Sequence, residues 1–600
     1  MKTTQTFLAS LPLLSFSWAS PCPILGPPYP TPQRLSTSQA FQNGTRKLDD
    51  LINQALQNAS FFSEYAMSGP LSNGTFSLSI FSTAQPDTLL HEFHYTSSEV
   101  ANSQEGLHTV DANSIYRIGS VSKLLTVYTF LIHEGFTRDG ESVARYIPEL
   151  AEIAKGDLMS DNGRLVNWTD VTVGDLASQL GGITRDLGLN DNDEVPGVPP
   201  LPAGEVALCD HSDQKAFPCS VKEYLDRFAT VPAEWNPAHT PTYSNAGFFL
   251  LALVLERITG KSFPELMQHS LIEQLGLNST SYYAPNSTTR AVIPVNDTVA
   301  MWSFDIGPVA PSGNYYTSTY DFATIGRSIL NSSILSPSLT RRWLKPRTFT
   351  TAASPAFDAV GAPWEIIRFR YNERVVDLYT KDGDVGAYHA SLVLIPDYNV
   401  SWTILTAGTK STGVREGLNT LMYETILPAL EQAAREEASE RFAGTYEAIP
   451  IYQNDESGTT TETNSSSSPS APSSNSTTPP ATAIFTTDSH SGLKISSIMI
   501  GGIEQTTTQD SPKAKLDWRL FPNDLYNDGK HVGFTGAVST IYTDKNTKVF
   551  AANTCASWLS VGTPSYGSLG LLDFAFEVDE EGRAVSAYAK GFRMKFVKKY

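Results

Sequence analysis

Ile118-Gly-Ser-Val-Ser-Lys123 runs straight into Leu-Leu-Thr-Val-Tyr-Thr-Phe-Leu-Ile132, a segment that is apolar on nearly all sides. A helix of this composition belongs in the centre of a large domain. If the helix begins near Ser120, Lys123 lies one turn further on the same face, where its amine can reach the Ser120 hydroxyl. Apolar surroundings disfavour the charged ammonium and should lower the lysine pKa. The segment therefore predicts a serine nucleophile, Ser120, with Lys123 as its general base.

A purely structural interpretation competes with this one, because Ser-x-x-Lys is short and common. Ser120 can cap the helix, and Lys123 can extend along its apolar surface until the charge reaches water. In the nucleophile interpretation, the helix N-terminus also presents backbone N–H groups where an oxyanion would develop. The other motifs of the sequence are needed to choose between the nucleophile interpretation and the structural interpretation.

A second motif, Pro241-Thr-Tyr243-Ser-Asn245, precedes an apolar stretch that ends at Gly260. This stretch predicts another buried helix, closed by the glycine. Tyr243 and Asn245 then lie on the loop that enters it, where a phenol can relay a proton and an amide can orient a carbonyl group. In structural terms, Asn245 could instead cap the helix and Tyr243 could be a packed aromatic side chain.

A third motif, Tyr379-Thr-Lys381-Asp-Gly383-Asp384, predicts a strand that turns into an apolar return strand ending at Pro396. Gly383 would let a substrate approach the backbone closely. Taken alone, Lys381 would be an ordinary surface charge. Lys381 indicates a functional site only in combination with the other two motifs.

Ser-x-x-Lys, Tyr-x-Asn and Lys-x-Gly, in this order and at these spacings, resemble the serine β-lactamase and penicillin-binding-protein superfamily. The Tyr-Ser-Asn form is similar to the class C β-lactamase and D-aminopeptidase/esterase branch, and the likeness covers about residues 40–430. The tail resembles the extra β domain of fungal extracellular β-lactamase-like proteins. The resemblance implies an α+β fold: a β-lactamase/transpeptidase-like domain, with an antiparallel sheet flanked by helices, followed by a small all-β domain.

The resemblance also implies catalytic roles for three residues. Ser120 would be the acyl-forming nucleophile and Lys123 its base, while Tyr243 would protonate the leaving group and later activate the incoming nucleophile. Whether Lys123 or Tyr243 takes the serine proton is disputed across this superfamily. Catalysis of this type needs no cofactor.

Substrate binding is implied for four more positions. Asn245 and Lys381 would orient the substrate, and the oxyanion hole would consist of the backbone N–H groups of Ser120 and of Asp384, just past Gly383. β-Lactamases carry a hydroxyl residue between the lysine and the glycine, whereas this chain has Asp382. Two carboxylates beside Lys381 should repel an anionic substrate, so we expect a neutral ester or amide in preference to a penicillin.

The order of segments predicts four parts of the chain. Residues 1–19 have the basic start, apolar run and small-residue site of a secretory signal peptide. Residues 20–39 are proline-rich, 40–435 form the catalytic domain, and 436–600 form the all-β domain. Within the last, residues 458–482 are a polar Ser/Thr/Pro insert that is predicted to be disordered.

Composition excludes several other functions. The formal net charge of −19 argues against a nucleic-acid partner, since a phosphate backbone requires a basic face. No apolar run is long enough for a membrane anchor. The histidines are scattered, with no His-x-x-x-His or Cys-x-x-Cys pair, so no metal site is predicted. The expected partner is a small-molecule or peptide acyl substrate; the oligomeric state is not predicted.

Two further features agree with export from the cell. The four cysteines permit three pairings, of which a local Cys209–Cys219 bridge and a Cys22–Cys555 bridge are the natural choice. Asn-x-Ser/Thr glycosylation sites also recur along the chain. They lie at Asn43, Asn58, Asn73, Asn167, Asn278, Asn286, Asn296, Asn331, Asn399, Asn464 and Asn475.

The sequence thus favours a secreted serine hydrolase that acts through an acyl-enzyme on an ester, amide or D-amino-acid peptide. An acyltransferase of secondary metabolism is the nearest alternative, because the same acyl-serine can be captured by an alcohol or amine. A catalytically silent binding protein that keeps the fold is the third interpretation, since fold alone does not guarantee chemistry.

Overall fold

A computed structural model of the chain resolves into two compact units. It describes residues 23–63, 69–160, 163–187, 195–200, 220–352, 357–449, 480–506, 514–526, 528–542 and 557–600. Within these residues, the first unit contains Thr31–Arg370 and Val376–Ala433. The second contains Ala434–Tyr600, Tyr371–Val375 and the N-terminal residues up to Pro30. The predicted signal peptide and nearly all of the polar insert at 458–482 lie outside the described residues.

An eight-stranded sheet forms the centre of the first unit. Its strands are β1 (Thr75–Ser82), β2 (His91–Tyr95), β3 (Thr348–Phe349), β4 (Phe357–Val360), β5 (Glu365–Tyr371), β6 (Arg374–Val385), β7 (Tyr388–Ile395) and β8 (Val400–Ala407). The order across the sheet is β2-β1-β8-β7-β6-β5-β4-β3. The pairings of β1 with β8 and of β6 with β7 are antiparallel, in agreement with the antiparallel sheet that the resemblance implies.

In β1, an alternating sequence pattern does not produce a solvent-exposed face of the strand. It alternates serine with apolar residues, yet every residue of the strand is buried. Its serine hydroxyls therefore find partners inside the protein. Ser79 Oγ lies 2.8 Å from Thr403 Oγ1, and Ser77 Oγ lies 3.0 Å from the Tyr116 hydroxyl.

Helices surround the sheet, and the longer ones are numbered here in chain order. They are α1 (Gln39–Gln57), α2 (Ser122–Glu134), α3 (Pro148–Lys155), α4 (Val221–Arg227), α5 (Ala246–Thr259), α6 (Thr319–Leu330), α7 (Pro337–Trp343) and α8 (Val414–Phe442). Shorter helices occupy Ser98–Ala101, Val173–Ala177, Phe263–Met267, Glu273–Leu275 and Asp297–Ala300.

The two helices predicted to be central are the buried ones. α2 is buried from Ser122 to Leu131, and α5 is buried from Ala246 to Leu255. They pack against each other. α5 ends at Gly260, whose φ of +71° is the left-handed conformation expected of a glycine that closes a helix.

A loop at Gly307–Ser312 is fastened to the start of α2. The Thr126 hydroxyl donates to the carbonyl of Pro311 at 2.6 Å, and the backbone N–H of Tyr315 donates to Ser122 Oγ at 3.1 Å. Buried Arg117 donates to the Asn314 side-chain oxygen at 2.9 Å. These contacts fix the backbone of the loop beside the residues of the first motif.

The second unit is all-β, as predicted. Its strands are β9 (Gly444–Ile449), β10 (Thr482–Thr486), β11 (Leu493–Ile500), β12 (Ile503–Glu504), β13 (Ala514–Pro522), β14 (His531–Tyr542), β15 (Asp573–Val578), β16 (Ala584–Ala589) and β17 (Met594–Lys598). The order is β10-β9-β17-β16-β15-β14-β13-β11-β12, and β10 also pairs with β11. This pairing closes the sheet into an eight-stranded barrel that leaves β12 outside.

An aromatic cluster fills the barrel. Phe485 and Phe576 lie edge to face with ring centres 5.1 Å apart, and Tyr446 and Phe574 pack against them. All four side chains are 0% exposed. The described part of the barrel therefore has a packed aromatic core.

Several predicted modification sites lie outside the described residues. They are the four cysteines, Cys22, Cys209, Cys219 and Cys555, and the glycosylation sites Asn464 and Asn475. The remaining sequon asparagines, from Asn43 to Asn399, are half-buried or exposed.

Candidate active site

Ser120 lies in a single 3-10 turn, Gly119–Val121, immediately before α2. Gly119 adopts a φ of +49°, a left-handed conformation that favours glycine. α2 then places Lys123 over the turn, with its Nζ 2.9 Å from Ser120 Oγ. The first motif therefore brings its serine and lysine together at the entry to a buried helix.

Lys123 is completely enclosed, with 0% of the residue exposed. Besides Ser120, its Nζ contacts Asn245 Oδ1 at 2.6 Å and the carbonyl oxygen of Ser312 at 2.8 Å. Burial lowers the pKa of Lys123 below its ordinary value of 10.5; the Tyr243 oxygen opposes this shift and the Lys381 ammonium adds to it. The neutral amine is accordingly favoured more than in an exposed lysine.

The contacts of Lys123 also orient its lone pair. A neutral amine has two N–H donors, and the oxygens of Asn245 and Ser312 can only accept hydrogen bonds. When these oxygens take both N–H groups, the lone pair is left for the Ser120 hydroxyl, which can then donate its proton to Nζ. This is the arrangement that a general base requires.

Tyr243 lies beside both lysines of the site. Its ring centre is 4.9 Å from Lys123 Nζ and 5.5 Å from Lys381 Nζ. Burial raises the pKa of the phenol, but the two ammonium groups and the Ser120 hydroxyl lower it by more, so that the net pKa falls below its ordinary value. Lys123 therefore contacts the Ser120 hydroxyl directly, and the pKa of the neighbouring Tyr243 phenol is lowered.

Asn245 connects the lysine to an acidic residue that the sequence analysis missed. Its Oδ1 accepts from Lys123, and its Nδ2 donates to Asp186 Oδ1 at 2.7 Å. The side chain makes no capping hydrogen bond to α5, so the simple cap interpretation does not describe it. Neighbouring Arg185 places its guanidinium 4.7 Å from the Tyr243 ring centre. In the sequence, Arg185 and Asp186 follow closely after Gly181-Gly182. This neighbouring pair of opposite charges was the feature that could have indicated a role for Asp186.

Lys381 is paired with Glu365, a second residue that lies outside the three sequence motifs. Its buried Nζ donates to Glu365 Oε1 at 2.5 Å and to the carbonyl of Asp382 at 2.7 Å. Burial alone would lower the pKa of Lys381, but the Glu365 carboxylate, together with Tyr243 and Asp382, raises it above its ordinary value. Lys381 is therefore a paired ammonium beside Tyr243. Glu365 begins β5, a strand whose sequence carries no sign of a functional site.

Gly383 lets β6 lie directly against the Ser120 turn. A Cβ placed on Gly383 would be 2.7 Å from the amide nitrogen of Ser120 and 2.1 Å from the carbonyl oxygen of Ile118. Only glycine fits this contact. The structure thus brings the Gly383 backbone next to the amide of Ser120. The oxyanion hole itself stays a prediction.

The expectation that Asp382 and Asp384 face the substrate is wrong. Side chains alternate along a strand, so these two lie on the face of β6 opposite to Lys381, toward α8. Arg415 on α8 donates to Asp384 Oδ1 at 2.9 Å, and its Nε lies 3.9 Å from Asp382 Oδ2. Asp384 Oδ1 also lies 2.6 Å from His389 Nδ1. The Asp384 carboxylate therefore links β6 to α8, and neither carboxylate lies on the face of β6 that carries Lys381.

Within the described ranges, no group of three or more His, Cys, Asp or Glu side chains is placed to hold a metal ion. No helix there is both long and apolar enough to cross a membrane.

Both units match models of known protein families. A family model described as Beta-lactamase matches residues 91–426, and one described as Beta-lactamase-like-like, C-terminal domain, matches residues 434–600. A beta-lactamase-like protein of Arthroderma benhamiae is 26% identical over 95% of this chain and 94% of its own length. "Probable hydrolase M10" of Phoma sp. is 26% identical over 71% of this chain and 68% of its own. The class C beta-lactamase of Rhodobacter sphaeroides aligns with a TM-score of 0.45 and 16% identity, covering 63% of this chain and 99% of that one.

Proposed function

Because the chain belongs to the beta-lactamase family, we propose that it hydrolyses an ester, amide or D-amino-acid peptide through an acyl-enzyme on Ser120. The observation that carries this proposal is the contact of Lys123 Nζ with Ser120 Oγ at 2.9 Å. The two carbonyl-type acceptors on the other side of the amine direct its lone pair at the serine. A lysine that merely extended to water would not be enclosed in this way.

In the first step, Ser120 Oγ attacks the acyl carbon while its proton passes to Lys123 or Tyr243. The carbonyl oxygen becomes an oxyanion, which the backbone N–H groups of Ser120 and Asp384 would stabilise. When the tetrahedral intermediate collapses, the bond to the leaving group breaks. Tyr243 returns a proton to the leaving oxygen or nitrogen, and an acyl-serine ester remains.

In the second step, a water molecule replaces the leaving group in the cleft. Tyr243 or Lys123 removes one water proton as the oxygen attacks the acyl carbon. Collapse of this intermediate releases the carboxylic acid and returns the proton to Ser120 Oγ. Capture by an alcohol or amine instead of water would produce a transferred acyl group, so product analysis separates a hydrolase from an acyltransferase.

We also propose that the protein is exported and glycosylated. The pattern at residues 1–19 supports export, and the accessibility of the sequon asparagines from Asn43 to Asn399 is compatible with glycans. Expression of the full chain in a fungal host, followed by N-terminal sequencing and glycosidase digestion of the culture medium, tests both. Retention of residues 1–19 in a purely intracellular product would contradict the proposal.

Hydrolysis is tested with a panel of 4-nitrophenyl esters and anilides, D-amino-acid amides and penicillins. Wild type should release product from at least one neutral member of the panel, whereas Ser120→Ala should lose about 10³-fold or more in kcat/KM. Ser122→Ala is the matched control, since this neighbouring hydroxyl faces the Tyr315 backbone. Equal activity of Ser120→Ala and wild type would place the nucleophile elsewhere.

A further inference from the structure

Two donors beside the catalytic tyrosine converge on one carboxylate, and that carboxylate belongs to the protein. Glu365 Oε1 accepts from the Lys381 ammonium at 2.5 Å, while Glu365 Oε2 accepts from the backbone N–H of Asp382 at 2.9 Å. An ammonium and an N–H that each bind one oxygen of the same group form a two-point carboxylate site. Glu365 fills it.

This site lies next to the reacting centre. Lys381 Nζ is 5.5 Å from the ring centre of Tyr243, and the same ring centre is 4.9 Å from Lys123 Nζ, which contacts Ser120 Oγ. The Lys381 side chain is only 2% exposed, whereas that of Glu365 is 18% exposed. A ligand that entered from solvent would therefore meet the carboxylate of Glu365 before it met the ammonium.

We propose that Glu365 is a specificity-determining residue, because its carboxylate occupies the anion position beside Tyr243 and so restricts the substrate to groups that are uncharged there. This inference rests on the proposed function. A substrate carboxylate would have to displace Glu365 from two charge-assisted or backbone hydrogen bonds, or lie beside it as a like charge without a free ammonium. Both alternatives are unfavourable.

Glu365 is thus the carboxylate that would disfavour an anionic substrate, a role that the sequence had suggested for Asp382 and Asp384. Asp382 and Asp384 face Arg415 and α8, whereas Glu365 reaches the face of β6 that carries Lys381. The preference for a neutral substrate is retained, with a different residue as its cause.

The experiment compares wild type with Glu365→Ala, which vacates the site, and Glu365→Gln, which keeps the shape but removes the charge. Two ester pairs report on the two sides of the scissile bond. One pair is 4-nitrophenyl butyrate and 4-nitrophenyl monoglutarate, which differ by a carboxylate in the acyl group. The other is phenyl acetate and 3-acetoxybenzoate, which differ by a carboxylate in the leaving group.

For at least one pair, both variants should raise the ratio of anionic to neutral kcat/KM by about tenfold or more, the size of a one-pKa-unit interaction. Asp382→Asn is the matched control. It removes the carboxylate that directly follows Lys381 in β6 and lies on the opposite face of that strand. It should therefore leave both ratios of anionic to neutral kcat/KM within about twofold of the wild-type ratios. Unchanged ratios in both Glu365 variants, or an equal gain in Asp382→Asn, would overturn the inference.

A binding measurement makes the test independent of turnover. Sodium acetate should raise the melting temperature of Glu365→Ala and leave that of wild type unchanged, at constant ionic strength with chloride as the reference salt. No acetate-specific stabilisation of Glu365→Ala would also overturn the inference. By contrast, wild type that hydrolyses no ester, anilide, D-amino-acid amide or penicillin of the panel while Glu365→Ala binds acetate would reject the proposed function and keep the filled carboxylate site.

Discussion

Gly119 lies directly against the backbone of Asp384: a Cβ on Gly119 would be 2.6 Å from the Asp384 amide nitrogen. Gly383 makes the reciprocal contact with the backbone around Ser120. The two glycines come from motifs that are far apart in the sequence, and each removes the side chain that would separate the two amide groups. In the proposed mechanism these amides form the oxyanion hole.

Gly383→Ala should therefore lower kcat/KM for a neutral ester by about 10²–10³-fold, the effect of losing an oxyanion-hole donor. Its methyl group would push β6 away from the Ser120 turn. Gly140→Ala is the control, since a Cβ there meets nothing within 4 Å. Kinetics and thermal melts of both variants check the prediction, and full activity of a folded Gly383→Ala would refute this role for the contact.

The pH dependence of acylation should report the unusual state of Lys123. A base acts in its deprotonated form, so the acylation rate rises with pH through the pKa of the group that takes the proton. Burial lowers the pKa of Lys123 from 10.5, and the pKa of Tyr243 is also lowered. Stopped-flow acylation rates should thus level off at a lower pH than the ordinary pKa values of 10.5 for lysine and 10.0 for tyrosine would give. A rate whose rise has its midpoint at or above pH 10.5 would contradict a depressed base.

Asp382 and Asp384 should affect stability with opposite signs. Burial raises the pKa of Asp382 from 3.8 to about 6, although Arg415 opposes this shift. Its ionisation therefore costs folding free energy as pH rises from about 4 to 6, so Asp382→Asn should melt about 2–4 °C higher than wild type at pH 8. The difference should vanish near pH 4.

Asp384→Asn provides the comparison. Burial would raise the pKa of Asp384, but His389 and Arg415 outweigh burial and hold it below 3.8. Its charge is stabilising at neutral pH, so the asparagine variant should melt lower than wild type at pH 8, and the gap should close as pH falls through the folded pKa. Calorimetry across pH 3–8 measures both variants, and the same sign for both would contradict the assigned environments.

Local sequence was sufficient for the elements that carry the motifs. The apolar runs after Ser120 and Asn245 predicted two buried helices, and the order of the motifs predicted the family and the two-part fold. The spacing of Ser120 and Lys123 predicted their contact because the 3-10 turn that contains Ser120 leads directly into α2. Such relationships depend on a few neighbouring residues.

What the sequence did not predict depends on long-range packing. Alternation along β6 was visible at Lys381, Asp382 and Gly383, but nothing in that strand says which of its faces α8 covers. Glu365 reaches Lys381 only because β5 and β6 are neighbours in the folded sheet. Its role was hidden for that reason, and the charge of Asp382 was assigned to the wrong face.

The most direct test of the account is the mass of the protein during turnover. Wild type is mixed with a slowly hydrolysed neutral ester, quenched in acid within the steady state, and analysed by intact-mass and peptide mass spectrometry. We expect an added acyl group on Ser120 that is absent in Ser120→Ala and accumulates when the ester is in excess. Substrate hydrolysis without any acyl adduct, or an adduct that persists at another residue in Ser120→Ala, would contradict it.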